Sequence, residues 1–161
     1  MLKKLMGFVA FVTIVAVMAI SARADTTFSG KFSGAQSVPP NASKAVGSAT
    51  IVLNDTGTRI TISLDFSGLG SNQTAAHIHG PARPGDIAPI LFNLGSQGTT
   101  SGTLVSLSAA VSPRQVAQLK AGQWYFDIHS TKLFSGEIRA QILPGGEAPA
   151  ENVSRPSHNR L

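Results

Sequence analysis

Between residues 59 and 66 apolar and polar side chains alternate without a break: Ile60, Ile62, Leu64 and Phe66 against Arg59, Thr61, Ser63 and Asp65. Side chains of a strand point to opposite faces in turn, so the run predicts a strand packed on one side and wetted on the other. Residues 47–53 put Ala49, Ile51 and Leu53 on one face in the same way. Asn54-Asp55-Thr56-Gly57, between the two runs, has the residue types of a tight turn, and the pair predicts a hairpin. Six more short runs, at 27–33, 75–79, 89–93, 102–107, 124–129 and 136–143, are divided by Gly, Pro, Asn and Ser. One stretch has helical character. Ser112 suits an N-cap, Pro113 the first helical position, Val116 and Leu119 recur at helical spacing, and Gly122 ends the turn. Eight strands and one short helix predict an all-β fold, an antiparallel Greek-key-like β-sandwich or barrel.

The ends of the chain follow other rules. Lys3 and Lys4 precede an apolar run over residues 5–20, and Ala22-Arg23-Ala24 has the small-x-small pattern of a cleavage site. Residues 1–24 are therefore expected to be a secretory signal peptide, which makes the mature protein secreted or periplasmic, with no membrane span once the leader is cleaved. From residue 146 the apolar periodicity stops and Gly, Pro, Glu, Asn, Ser and Arg take over, so 146–161 is expected to be a flexible tail. Residues 25–145 are left as one domain, long enough to bury a core.

Composition narrows what that domain can do. The formal charge of +5 includes Lys3, Lys4 and Arg23 of the leader; without them ten basic residues face eight acidic ones. The basic residues are scattered, with no stripe interleaved with aromatics, which argues against nucleic acid as a partner. Cysteine is absent, so neither a disulfide nor a thiolate is available. Met1, Met6 and Met18 all lie in the leader, which leaves His, Asp and Glu as the metal-binding side chains of the mature chain. No Gly-x-Ser-x-Gly elbow and no phosphate-cradling glycine loop occurs.

Three of the four histidines sit in strand candidates: His77 and His79 in Ala76-His77-Ile78-His79-Gly80-Pro81, and His129 in Trp124-Tyr125-Phe126-Asp127-Ile128-His129. Strand parity places His77 and His79 on one face opposite Ile78, and Asp127 and His129 opposite Phe126 and Ile128. Neutral imidazole suits copper and zinc, and exchangeable sites often have three protein ligands. His77, His79 and His129 are thus the candidate metal ligands, with Asp127 or Glu137 as carboxylate support. Glu137 has the parity of Arg139 and Gln141, opposite Ile138 and Ala140, so these polar groups are expected to form one outward surface. The competing reading makes the histidines structural, tying strands to the loop at 80–85, with Glu137 and Arg139 as an ion pair, Tyr125 as a packed surface aromatic and Trp124 as core. The fourth histidine, His158, lies in the tail.

Gln36-Ser37-Val38-Pro39-Pro40, the Gly68-Leu69 turn, the His77-Ile78-His79 segment, Leu119-Lys120-Ala121-Gly122, Tyr125-Phe126-Asp127-Ile128-His129 and Gly136-Glu137-Ile138-Arg139-Ala140-Gln141 occur in that order. The ordered set resembles the CHRD domain, the module named after chordin, over about residues 27–143. The resemblance implies an extracellular binding module, found in animal chordins that antagonise bone morphogenetic proteins and in secreted bacterial proteins. The chain departs from the family pattern at Asp127, where Asn is common, and at Ala140, where Gly is common; neither change removes an imidazole. A weaker likeness to copper/zinc superoxide dismutases lies in the succession of hairpin, Gly-Leu turn and His-x-His strand, although the cysteines and the His-rich zinc loop of those enzymes are lacking. Three functions remain open: a binding module holding copper or zinc, a dismutase-like copper redox enzyme, and a metal-free domain that binds an extracellular protein partner.

Overall fold

A computed structural model describes residues 24–145. The signal-peptide assignment up to Arg23 and the tail from residue 146 lie outside the described residues. Eight strands form: β1 (Thr26–Phe32), β2 (Val46–Leu53), β3 (Arg59–Ser67), β4 (Gln73–His79), β5 (Ile90–Gly95), β6 (Gly102–Ala110), β7 (Trp124–Ser130) and β8 (Ile138–Pro144). A single helix, α1 (Pro113–Lys120), joins β6 to β7, and a 3-10 turn (Gly34–Gln36) follows β1. Every pairing is antiparallel, and the strand order is β5-β4-β7-β8-β1-β2-β3-β6. β6 lies beside β3 although the β4–β5 hairpin intervenes in sequence, a Greek-key-like crossing.

Local chemistry accounts for the elements. At the β2–β3 turn the Asn54 side-chain oxygen accepts from the backbone N–H groups of Thr58 and Arg59, both at 2.9 Å, while Gly57 supplies a φ of 69°. Helix α1 opens on a reciprocal cap in which Ser112 Oγ accepts from Gln115 N–H at 3.3 Å and the Gln115 side chain accepts from Ser112 N–H at 2.9 Å. Leu119 is the buried residue of its inner face. Among the described residues no helix is long and apolar enough to cross a membrane.

The curled sheet works as two halves. β8 pairs with β7 from Trp124↔Ile142 to Ile128↔Ile138 but with β1 at Phe28↔Pro144 and Ser29↔Leu143, with one isolated bridge, Ser33↔Arg139, just past the end of β1. The half β6-β3-β2-β1 and the half β8-β7-β4-β5 then wrap one core, with Phe32 of the first edge-on to Phe126 of the second at 6.1 Å between ring centroids. β3 buries Ile60, Ile62, Leu64 and Phe66 and exposes Arg59, Thr61, Asp65 and Ser67, the alternation its sequence predicts. β7 and β8 do not alternate in this way. Trp124, Phe126, Ile128, Ile138, Ala140 and Ile142 are buried in the core, and Tyr125, Arg139 and Gln141 are buried as well. The outer face of β7 and β8 is therefore largely covered, and the histidines lie half-buried on that same side of the sheet.

Candidate metal centre

β4 and β7 are neighbours in the sheet, with Ala75↔His129, His77↔Asp127 and His79↔Tyr125 opposite one another. That register brings His129 diagonally beside His77, with His77 Nδ1 and His129 Nε2 3.1 Å apart. The rings of His77 and His79 are 5.5 Å apart and those of His77 and His129 5.0 Å apart, both nearly edge-on. One ring nitrogen from each of the three lies within 4.8 Å of the others. Tetrahedral zinc with bonds of about 2.0–2.1 Å separates its ligands by roughly 3.3 Å. The 3.1 Å pair is close to that spacing but is bridged by a proton, so holding a metal through these two atoms would need His77 to carry its proton on Nε2 instead and the set to close by on the order of 1 Å.

Backbone carbonyls orient two of the imidazoles. His79 Nδ1 is 2.9 Å from Ala88 O, and His129 Nδ1 is 2.8 Å from Phe134 O. A carbonyl oxygen only accepts, so each Nδ1 carries the proton and each Nε2 a lone pair. His77 Nδ1–H then donates to His129 Nε2. His79 Nε2 is buried without a hydrogen-bond partner, and so is Asp127 Oδ1. The other oxygen of that carboxylate, Oδ2, lies 3.7 Å from His129 Nε2. Gly136, at φ 115°, lets the β7–β8 turn pass close by, since a Cβ there would overlap the Asp127 carboxylate. Burial raises the pKa of Asp127 above the usual carboxylate range against the opposing pull of His129, His79 and Arg139. Burial first, then the neighbouring His129 and His79, lowers that of His77 below the ordinary imidazole value. The Nε2 lone pairs of His79 and His129 thus lie in one cluster with His77, whose burial favours its neutral form.

The polar residues beside this cluster do not form an outward surface. Residues 80–89 fold over β7 and β8 and roof them. Arg139 donates to Asp86 O at 2.8 Å, Arg83 O at 3.3 Å and Gln141 Oε1 at 2.9 Å, while Gln141 Nε2 donates to Ala82 O and Gly122 O. Tyr125 is buried, not a surface aromatic: it stacks on His79 at 4.9 Å and 3°, carries the Arg139 guanidinium 3.6 Å from its ring centroid, and its hydroxyl oxygen accepts from Ala88 N–H at 3.2 Å.

Glu137 stands apart from the imidazole group and makes no ion pair with Arg139. Its Oε1 accepts from Gly70 N–H and Ser43 Oγ, each at 2.7 Å, and so pins the connections before β2 and after β3. Burial would raise its pKa, but hydrogen bonds from Ser130, Gly70 and Ser43 outweigh that and hold it below the usual range. The sequence parity of Tyr125 with Asp127 and His129 signals that it belongs to the site. No sequence signal marks Ala88 or Phe134, because any residue can supply a carbonyl.

Curled antiparallel sheet, crossed connections and three converging imidazoles on an outer face define a class: an all-β domain with a candidate metal-binding group on its surface. The family model of the CHRD domain matches residues 28–142, and the chain belongs to the CHRD domain family. No curated protein and no solved structure matches the chain.

Proposed function

We propose that this protein is a secreted or periplasmic CHRD binding module that holds one copper or zinc ion through His77, His79 and His129. The observation that carries the reading is the convergence of one ring nitrogen from each of His77, His79 and His129 within 4.8 Å, with His79 Nε2 and Oδ1 of Asp127, on the neighbouring strand, both buried and unpartnered. Stranding two acceptors in a buried spot costs about 1–3 kcal/mol each, and a cation would offset that cost. The carbonyls of Ala88 and Phe134 fix the tautomers in which His79 and His129 would bind it through Nε2, and the cation would displace the His77 to His129 hydrogen bond. Asp127, whose Oδ2 lies 3.7 Å from His129 Nε2, would steady that imidazole or complete the ligand set, whereas the Glu137 carboxylate is engaged by Gly70 and Ser43 instead. Export through the leader puts the module where it meets extracellular metal or a partner protein. A dismutase-like role requires copper that cycles and an open coordination position, and redox assays follow only if copper binds.

A metal-free structural role is the second reading, favoured by the hydrogen bonds that His77, His79 and His129 already make. Copper and zinc stoichiometry of the untagged mature protein, beside a folded His77→Ala/His79→Ala/His129→Ala variant, separates the two. The expected result is near one ion per native chain and none in the variant. No ion in either protein after loading would leave the histidines as loop ties.

A further inference from the structure

We propose that Arg139 is a positioning residue for the candidate metal centre, holding the His79 imidazole through two routes that start at one guanidinium; the inference rests on the metal-binding reading above. Arg139 is 2% exposed, and among the described residues no carboxylate lies within ion-pair distance of it. A buried cation without such a partner is costly, so its place on β8 calls for a return. Its donors go to two carbonyls of the covering segment, Arg83 O and Asp86 O, and to Gln141 Oε1, and its guanidinium carbon lies 3.6 Å from the centroid of the Tyr125 ring.

Both routes end at His79. Along the first, the Tyr125 ring is held between the guanidinium and the His79 imidazole, parallel to the latter within 3°. Along the second, the anchored segment presents Ala88, whose N–H donates to the Tyr125 hydroxyl and whose carbonyl accepts from His79 Nδ1. Residues 83–87 are exposed, so side-chain packing does little to hold this segment and the guanidinium hydrogen bonds do more. A lysine would not replace Arg139, because an ammonium lacks both the planar face and the fork of donors. With the imidazole gripped at Nδ1 and across its face, Nε2 is presented in one direction before any ion arrives, and little ordering remains to be done on binding.

The test compares native protein with Arg139→Gln, Tyr125→Phe and, as a control for plain destabilisation, Ile138→Val on the apolar face of the same strand. In the metal-free proteins, nitrogen-15 correlations of the imidazoles report the His79 tautomer; with copper(II) added, titration gives the affinity and electron paramagnetic resonance the ligand field. Arg139→Gln is expected to mix the His79 tautomers, weaken copper binding about 10–100-fold and change the resonance spectrum. Tyr125→Phe, which keeps the ring but frees Ala88, should fall between, and Ile138→Val should leave tautomer and spectrum native. A folded Arg139→Gln with native tautomer, affinity and spectrum overturns the role of Arg139 alone. Should Arg139→Gln not fold, unchanged tautomer and affinity in Tyr125→Phe overturns it instead. A native protein that takes up neither copper nor zinc overturns the metal reading and this role with it.

Discussion

The two halves of the sheet share one core and differ in what they do with their backs. The half β6-β3-β2-β1 exposes its outer side chains, so Thr61 and Asp65 of β3 face water. The half β8-β7-β4-β5 covers much of its outer face with residues 80–89, and there Tyr125, Arg139 and Gln141 are as buried as the core. An open face tolerates polar residues at almost no cost, whereas a covered one must satisfy each polar group with a partner. Arg139 and Gln141 meet that demand with backbone carbonyls; His79 Nε2 and Asp127 Oδ1 do not, and neither does Glu137 Oε2, which lies away from the imidazole group. Function is to be sought where a covered face leaves donors or acceptors over, not where polar residues are merely numerous.

The contrast is sharpest when cut at the core. Phe126→Ala, on the inner face of the covered half, should cost about 3–5 kcal/mol in denaturant unfolding, while Thr61→Val on the open half should stay within about 0.5 kcal/mol. Comparable losses at both would erase the distinction between the halves.

Next in size is Glu137, which joins them. Glu137→Gln should cost about 1–3 kcal/mol near pH 7, since a charged acceptor of two backbone and hydroxyl donors is lost. Its folded pKa lies below the unfolded value, so its contribution is fully present above the unfolded carboxylate pKa and is lost as pH falls through the lower folded value. Unfolding curves of native protein and variant should therefore converge in acid; a gap that persists at low pH would contradict this account.

The smallest effect is expected at Asp127, and its sign is opposite. Burial raises its folded pKa, so ionisation costs stability as pH rises from the unfolded value through the raised one. Asp127→Asn should leave the metal-free protein as stable or more stable at pH 7, yet weaken metal binding about tenfold or more. A variant that loses stability without metal, or binds metal as tightly as native protein, would remove Asp127 from the site.

In the open half, the β2–β3 hairpin was legible residue by residue. Alternation from Arg59 to Phe66 and the Asn54 to Gly57 turn specify strand, face and hairpin, because one wetted face keeps period-two patterning intact. The same logic misled on β8, where Arg139 and Gln141 have outward parity but lie under a segment whose own residues carry no periodic mark. Parity put His77 and His79 on one face, but their meeting with His129 depends on β4 lying beside β7, a long-range pairing that periodicity does not encode. Glu137 was misplaced for a related reason: its partners Gly70 and Ser43 come from connections far away in sequence.

β8, the last strand among the described residues, lies at the centre of the sheet between β7 and β1. The meander β1-β2-β3 closes through nearby residues, but the two halves are joined only when the last strand arrives. Order of synthesis and order of assembly therefore part company. In a chain that emerges from its N-terminus, β1, β2 and β3 precede residues 138–144, so the Phe28↔Pro144 pairing that joins the halves spans a long sequence separation and is expected to form late.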